Sequence, residues 1–437
     1  MNISFLKTKT IVYVFILIST VTYVVIKAYQ SGIDLDVCLY ASNQLFNGEN
    51  IYEGNPYNNY LYSPLHALLL RPISIFDYAI ARVIWALINI TLTIRLCMII
   101  SSLIKNSLEL NNKFNIQLTI GAIFISLGFL NHNLILGQIT IVILWLTFEG
   151  LYQIINQNKP VIGALLLALG ISIKIIPLLG LFYLFFKRRY KVIIICICFV
   201  IAGLFFPSVI IKHSYNMKML NNWKETIKPT RNKYVFENNL GTQSLNAILP
   251  TYFYNFNDAV KVPSNPGRLI ISIPHDTLVI IMQMMRVLLA FSILLLIFYR
   301  YNQRKAEPLY FYWEFSYLAL VSALIFPHQQ KYVMLYFVPA GSYMILFILF
   351  IFRLKWKVSF KYKIIAILAA FLMFVSAIMG RDIVGDQMVY IFDYYRVFGL
   401  INLIFLVFLI LIRPNLLIEL NNKMLGDTNE LIATANK

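Results

Sequence analysis

Two aspartates stand just after the first apolar run, in Gly32-Ile33-Asp34-Leu35-Asp36-Val37-Cys38-Leu39-Tyr40-Ala41. A carboxylate close to a membrane surface is partly desolvated, which raises its pKa and lets it act as a base toward a hydroxyl group. Asp34 opens the segment, and its place also suits an N-cap of the helix that follows. Spacing alone leaves capping and catalysis both open. Leu35, Leu39, Ser42 and Phe46 share one helical face with Cys38 and Leu45 beside it, while Asp36, Asn43 and Asn47 lie on the other side. The pattern predicts an amphipathic helix in the membrane interface, ending at Gly48. Further charges fall in apolar runs, where ionisable groups are functional candidates by default. Arg286 and Glu314 sit at different depths, so a direct pair is not evident, and Arg82 and Arg95 can snorkel from opposite ends of one run. Asp382, Asp386 and Asp393 make a reserve of carboxylates late in the chain.

The elements that must position these groups are membrane helices. Of 437 residues, 59% are hydrophobic and 13% charged, against about 25% charged in soluble domains, and the mean hydropathy is +0.72. Apolar runs long enough for a hydrocarbon core of about 30 Å recur throughout. In lipid each must satisfy its own backbone, so helices are implied, and the short alternating segments of a barrel do not occur. The expected fold is an all-α polytopic domain over 1–437. About twelve spans are expected, at 11–27, 78–104, 116–130, 138–156, 161–173, 175–186, 192–211, 277–299, 309–326, 332–352, 364–379 and 397–412.

The net charge of +18 does not point to nucleic acid. Lys and Arg cluster between apolar runs, as in Lys187-Arg188-Arg189-Tyr190-Lys191 and from Arg353 to Lys363, which is the positive-inside pattern of cytoplasmic loops. That bias places the N-terminus and the 413–437 tail inside. It leaves two large outer segments, 28–77 and 212–276, the second with eight basic and four acidic residues. Lys7 and Lys9 before the first run, with no small-residue cleavage site after it, read as an uncleaved signal-anchor. Residues 161–186 are expected as two half-spans meeting near Lys174 and Pro177. The rival makes 63–76 a span and 161–186 one helix, burying Arg71 and Pro72 and exporting Lys105, Lys113 and Lys159. Cys38, Cys97, Cys196 and Cys198 show no metal-ligand spacing, so neither a disulfide framework nor a zinc site is expected.

Further motifs follow in order. Tyr60-Leu61-Tyr62-Ser63-Pro64-Leu65-His66 leads into an apolar run ending at Arg71-Pro72. Then come Asn133 to Gly137-Gln138, Lys174-Ile175-Ile176-Pro177, Gln243-Ser244-Leu245, and Phe326-Pro327-His328-Gln329-Gln330-Lys331. With the Asp34-Leu35-Asp36-Val37 element before them, these resemble glycosyltransferase family 87 over roughly residues 30–345. Departures are Thr242 where Asn is common, Phe326 for a Ser, and Tyr332-Val333 about where a His pair is often seen.

The resemblance implies a GT-C-type membrane hexosyltransferase with outer-face amphipathic helices, in the cytoplasmic membrane with its active site outside. The donor would be a polyprenyl-phosphate sugar, mannose by default, and the acceptor a lipid or glycan, with inversion at the anomeric carbon. Asp34 matches the family's aspartate as general base, with Asp36 as second choice. Lys174, Arg71 and Lys331 are candidates to hold the donor phosphate, Lys174 equally readable as a snorkelling lysine. Tyr62, Gln138, Gln243, Ser244, His328 and Gln330 are candidate substrate contacts, though Gln138 suits helix capping as well. No metal or cofactor is expected, because cations and hydrogen bonds can hold a monophosphate leaving group. A lipid-linked polysaccharide polymerase or ligase, and a non-enzymatic transporter or flippase, are the alternatives.

Overall fold

The computed structural model describes every residue except 1–21, 24, 109, 111, 234, 257–266, 302–307, 379 and 436–437. The expected first span therefore lies almost wholly outside the described residues. In chain order the helices are α1 (Ile33–Asn47), α2 (Pro64–Leu69), α3 (Arg71–Ser74), α4 (Tyr78–Ser107), α5 (Asn112–Leu136), α6 (Thr140–Ile155), α7 (Pro160–Ile173) and α8 (Leu178–Phe186). They continue as α9 (Tyr190–Phe205), α10 (Ser208–Ile211), α11 (His213–Lys233), α12 (Leu245–Phe253), α13 (His275–Tyr301) and α14 (Pro308–Ile325). After a 3₁₀ turn at Lys331–Phe337 come α15 (Val338–Arg353), α16 (Phe360–Ile378), α17 (Arg381–Tyr394), α18 (Val397–Leu411) and α19 (Pro414–Ala435). Among the described residues there is no strand, only an isolated bridge between Thr242 and Gln330.

Among the described residues six helices are long and apolar enough to cross a membrane, or up to eight if each of two bent pairs is one span. Thr140–Ile155 and Pro160–Ile173 are shorter apolar helices. This is a multi-pass membrane protein. Over 161–186, where two half-spans are expected, the structure has the two helices α7 and α8 with a break at 174–177, and Pro177 folds back against Gly170, whose Cβ position lies 3.0 Å from the proline ring. Residues 63–76 form two short helices rather than one span.

Burial runs against hydropathy. The least apolar candidate span, α14, is the most buried, whereas the most apolar, Tyr190–Ile211, is the least. Lipid solvates Ile and Phe as well as a protein interior does, so packing and polar pairing choose the central helix. Close approach does the rest: a Cβ on Gly163 of α7 would stand 2.5 Å from the Gly150 carbonyl of α6, so these helices meet backbone to backbone.

Arg95 and Glu314 are paired inside the bundle. Arg95 grips Glu149 through Nε and Nη2 at 2.7 and 2.8 Å, and Gln153 adds a hydrogen bond. Glu314 accepts from Lys187 at 2.8 Å and from the Tyr183 hydroxyl at 2.7 Å. Arg286 reaches Asn246 and Gln283 instead of a carboxylate. The snorkelling expected of Arg95 is thus replaced by an ion pair, because in low dielectric an available carboxylate is a better partner than distant water.

The described parts of both large polar segments lie at one end of the bundle. Trp223 and Asn222 of α11 hydrogen-bond the Leu61 carbonyl and the Asn50 side chain. Behind them Arg396, fully buried, donates to the carbonyls of Asn239, Leu240 and Thr242 and to the Thr251 hydroxyl. It stands at the 63° bend between α17 and α18. Arg396→Met is expected to loosen this end by about 2 kcal/mol, since it abandons two buried acceptors, the Thr242 carbonyl and the Thr251 hydroxyl, at about 1 kcal/mol each. Limited proteolysis of the detergent-solubilised protein reads it as faster cleavage within 235–256. Unchanged cleavage would mean that other contacts hold the segment.

Candidate active site

Helix α1 begins at Gly32 with no side-chain cap and ends at Gly48, whose φ of 79° lets its N–H close onto the Gln44 and Leu45 carbonyls. Asp34 therefore does not cap its own helix. Its carboxylate accepts a hydrogen bond from Gln138, which belongs to the turn between α5 and α6. That turn reaches α1 because residue 137 is glycine: at φ 69°, a Cβ would lie 2.6 Å from Cβ of Leu35. Gln138 is thus a carboxylate donor and not a helix cap.

Asp36 has another fate. Expected on the polar side of an interfacial helix, it is 1% exposed and held by both Nε and Nη2 of Arg82 on α4. With this charge neutralised, α1 is buried round most of its circumference, which corrects both the amphipathic expectation and the reading of Arg82 as a snorkelling side chain. Asp36 is committed to the fold.

Asp34 opens onto a small pocket with Cys38, Tyr62, His66, Trp85 and Gln138 among its walls. Burial pushes the Asp34 carboxyl above the usual carboxylate range, while the Gln138 hydrogen bond and the Lys174 charge pull it back in part. Lys174 stands at the break between α7 and α8, with its ammonium 5.7 Å from the centre of the Tyr332 ring. Ser63, at the start of α2, ties its hydroxyl to the Ser172 carbonyl at 2.7 Å and so joins the pocket wall to this break. The geometry brings together a desolvated carboxylate, an amide donor, a cation and aromatic walls.

The other expected residues lie elsewhere. Arg71 bonds Asn43 at 3.0 Å and stacks on Phe46, along α1 but outside the pocket walls. Lys331 pairs with Asp393 at 2.5 Å. His328 contacts Glu237 at 2.9 Å, Gln330 forms the bridge to Thr242, and Gln243 accepts from the Gly399 N–H and donates its own N–H to the Gln329 carbonyl. Ser244 starts α12. These residues form the scaffold round Arg396. The side chain of Asp382 lies outside the described residues. His66, Trp85, Cys38 and Tyr332 were not singled out from sequence, although His66 stands inside the quoted Tyr60–Pro72 motif. Among the described residues no group of His, Cys, Asp and Glu is arranged to hold a metal ion.

Fold and pocket define a multi-pass helical membrane protein with a desolvated carboxylate at its loop-bearing end. The sequence model of glycosyltransferase family 87 matches residues 60–327, more than half of the chain, and the protein belongs to that family. It is a membrane glycosyltransferase. The match takes in Tyr62, His66, Gln138 and Lys174, while Asp34 precedes it. No curated protein and no solved structure matches the chain.

Two outcomes separate the aspartates. Asp36→Asn should lower stability by about 3 kcal/mol, because it leaves Arg82 without its counter-charge, and Arg82→Gln in the same chain should restore part of that, as read by thermal denaturation in detergent. Asp34 should titrate above ordinary carboxylates, followed through the infrared carboxyl band that Asp34→Asn removes. Lys174→Met takes away an influence that lowers this pKa, so the titration must move to still higher pH. A shift downward would contradict the placement of the ammonium.

Proposed function

We propose that the chain is a GT-C-type hexosyltransferase that uses a polyprenyl-phosphate sugar, mannose first in line, at the outer face of the cytoplasmic membrane. About twelve spans follow if 11–27, 140–155, 160–173 and 178–186 cross or half-cross the bilayer along with the longer helices. The observation that carries the reading is the Lys174 charge acting on Asp34, which opens onto the pocket. A lipid or glycan acceptor enters with its hydroxyl toward Asp34. The carboxylate takes the hydroxyl proton as the oxygen attacks the anomeric carbon from the side opposite the phosphate. The bond from that carbon to the phosphate oxygen breaks, and the electron pair leaves with polyprenyl phosphate. Lys174 lies where charge gathers on that leaving group.

Of the three cations considered for the phosphate, Lys174 is favoured, since Lys331 already holds Asp393 and Arg71 is braced on Asn43. The helix break supports this role. It lifts the ammonium out of regular helix and sets it beside the Tyr332 ring, where few protein charges compete for it.

The test is transfer by purified protein from short-chain polyprenyl-phosphate hexoses to total lipid and glycan extract, with release of polyprenyl phosphate as the readout. Asp34→Asn should fold normally and lose more than about a hundredfold in turnover, the lower range for a positioned base. Lys174→Met should lose at least about tenfold in kcat/KM, roughly 1.4 kcal/mol, and Lys174→Arg should keep part of the activity because its charge remains. Activity that requires a lipid-pyrophosphate donor would instead favour a polymerase or ligase. Full activity of Asp34→Asn would move the base to another group.

The acid limb of the rate profile gives an independent check. The base works only when deprotonated, so activity falls as pH drops through a pKa raised by burial. Gln138→Met removes a hydrogen bond that lowers this pKa, and the limb should shift to higher pH.

A further inference from the structure

Arg286 takes no part in the reaction proposed above, and neither it nor its hydrogen-bond partners line the Asp34 pocket. It stands within the apolar stretch His275–Ile293 of α13. Ile280, Met284, Val287, Leu288 and Phe291 of that stretch are exposed and form its lipid-facing side. With about 3.6 residues per turn, Arg286 falls on the flank of this side, where α13 meets α12, and the exposed Gln283 stands between.

The guanidinium lies at the loop-bearing end of the spans. Its partner Asn246 belongs to the first turn of α12. Just before that turn, the Gln243 carbonyl lies 2.4 Å from where a Cβ on Gly399 would stand, close to the start of α18. Helical side chains lean toward the N-terminus of their helix. For α13 that is the loop-bearing end, so Arg286 reaches out of the hydrocarbon toward the headgroup layer.

Its charge is not answered there. A guanidinium has five N–H groups. Arg286 gives one to Gln283 Oε1 at 3.3 Å and one to Asn246 Oδ1, both neutral amides, while its Nε is buried with no partner. Arg82 and Arg95 each hold a carboxylate, but among the described residues none meets Arg286. A cation at the edge of a lipid-facing surface draws its counter-charge from whatever anion reaches that depth. A free anion must leave water to do so. A phosphate carried on a lipid is already there, and two of its oxygens match the guanidinium fork.

We propose that Arg286 holds the phosphate of a glycerophospholipid in the leaflet at the loop-bearing end, with the acyl chains along Ile280, Met284 and Val287. The bound lipid clamps α13 to α12 through Arg286 and Asn246, whose amide in turn donates to the Val235 carbonyl at 2.9 Å. This lipid is separate from the sugar donor, whose reacting bond must lie beside Asp34.

The experiment follows thermal unfolding of the full-length, delipidated protein in dodecyl maltoside as dioleoylphosphatidylglycerol is added. A ligand of the folded state raises the unfolding temperature. Wild type should be stabilised, and Arg286→Gln should need about tenfold more lipid for the same rise. Arg286→Lys should fall between, since it keeps the charge and loses the fork. Asn246→Ala breaks the protein's own tie and should still respond to the lipid. If Arg286→Gln merely melts lower, with the lipid response of wild type, the arginine is only a tie between helices and the proposal fails. It fails equally if dioleoylglycerol, which lacks the phosphate, stabilises wild type as well. Stabilisation by inorganic phosphate at matched concentration would make the site a water-facing one. Undecaprenyl phosphate acting through Arg286 at tenfold lower concentration would assign it to the donor. Either result overturns the proposal. Should Arg286→Gln not fold, native mass spectrometry of phosphatidylglycerol against dioleoylglycerol on wild type and Arg286→Lys gives the same decision.

Discussion

A carboxylate surrounded by apolar side chains must have a counter-charge or lose its own charge, and the two aspartates of α1 divide these outcomes. Asp36 receives the Arg82 guanidinium through two hydrogen bonds and becomes part of the packing between α1 and α4. This pairing lets a helix with two acidic residues in its first turn sink into the protein. Once α1 is buried in that orientation, Asp34 must face the Gln138 turn. It meets an amide there, and a cation only through space, so its charge is stabilised incompletely. Incomplete stabilisation is what a base requires, since a carboxylate fully satisfied by an arginine has little affinity left for a proton.

The same economy of charge runs through the bundle. Arg95 with Glu149 and Lys187 with Glu314 are each closed by a further hydrogen bond from Gln153 or Tyr183. Such pairs contribute little net stability, because desolvation opposes most of the Coulomb gain. Their effect is orientation. The Glu314 contacts fix α8 against α14 near the end of the bundle remote from Lys331, so the break at 174–177 is carried back to the loop-bearing end. Lys174 arrives near Asp34 as a consequence of where Lys187 is anchored.

At that end the long polar segment is held from inside by Arg396. One guanidinium serves several carbonyls of 239–242, a stretch with no regular secondary structure to satisfy them. His328 with Glu237 and Lys331 with Asp393 extend this scaffold. Gln243, Ser244, His328 and Gln330 belong to this scaffold and not to the pocket walls.

Much of this was legible from residue order. Hydropathy runs decide that the chain crosses membranes as helices, since backbone in lipid has no other way to satisfy itself. Pro177 beside Lys174 fixes the helix break, and Gly48 fixes the end of α1, through local backbone sterics. Order also names Asp34, Gln138 and Lys174, though only among a longer group of candidates. Pairing across space was not legible. That Arg82 takes Asp36 and that Gly137 admits Leu35 each depends on the distance between segments far apart in sequence. Hydropathy likewise could not tell the buried α14 from the exposed α9, because lipid and protein interior are equally apolar. Sequence determined which segments are apolar enough for a membrane and which motifs they carry; only the tertiary structure decided which charges are neutralised, because ion pairs such as Arg82 with Asp36 join segments far apart in the chain.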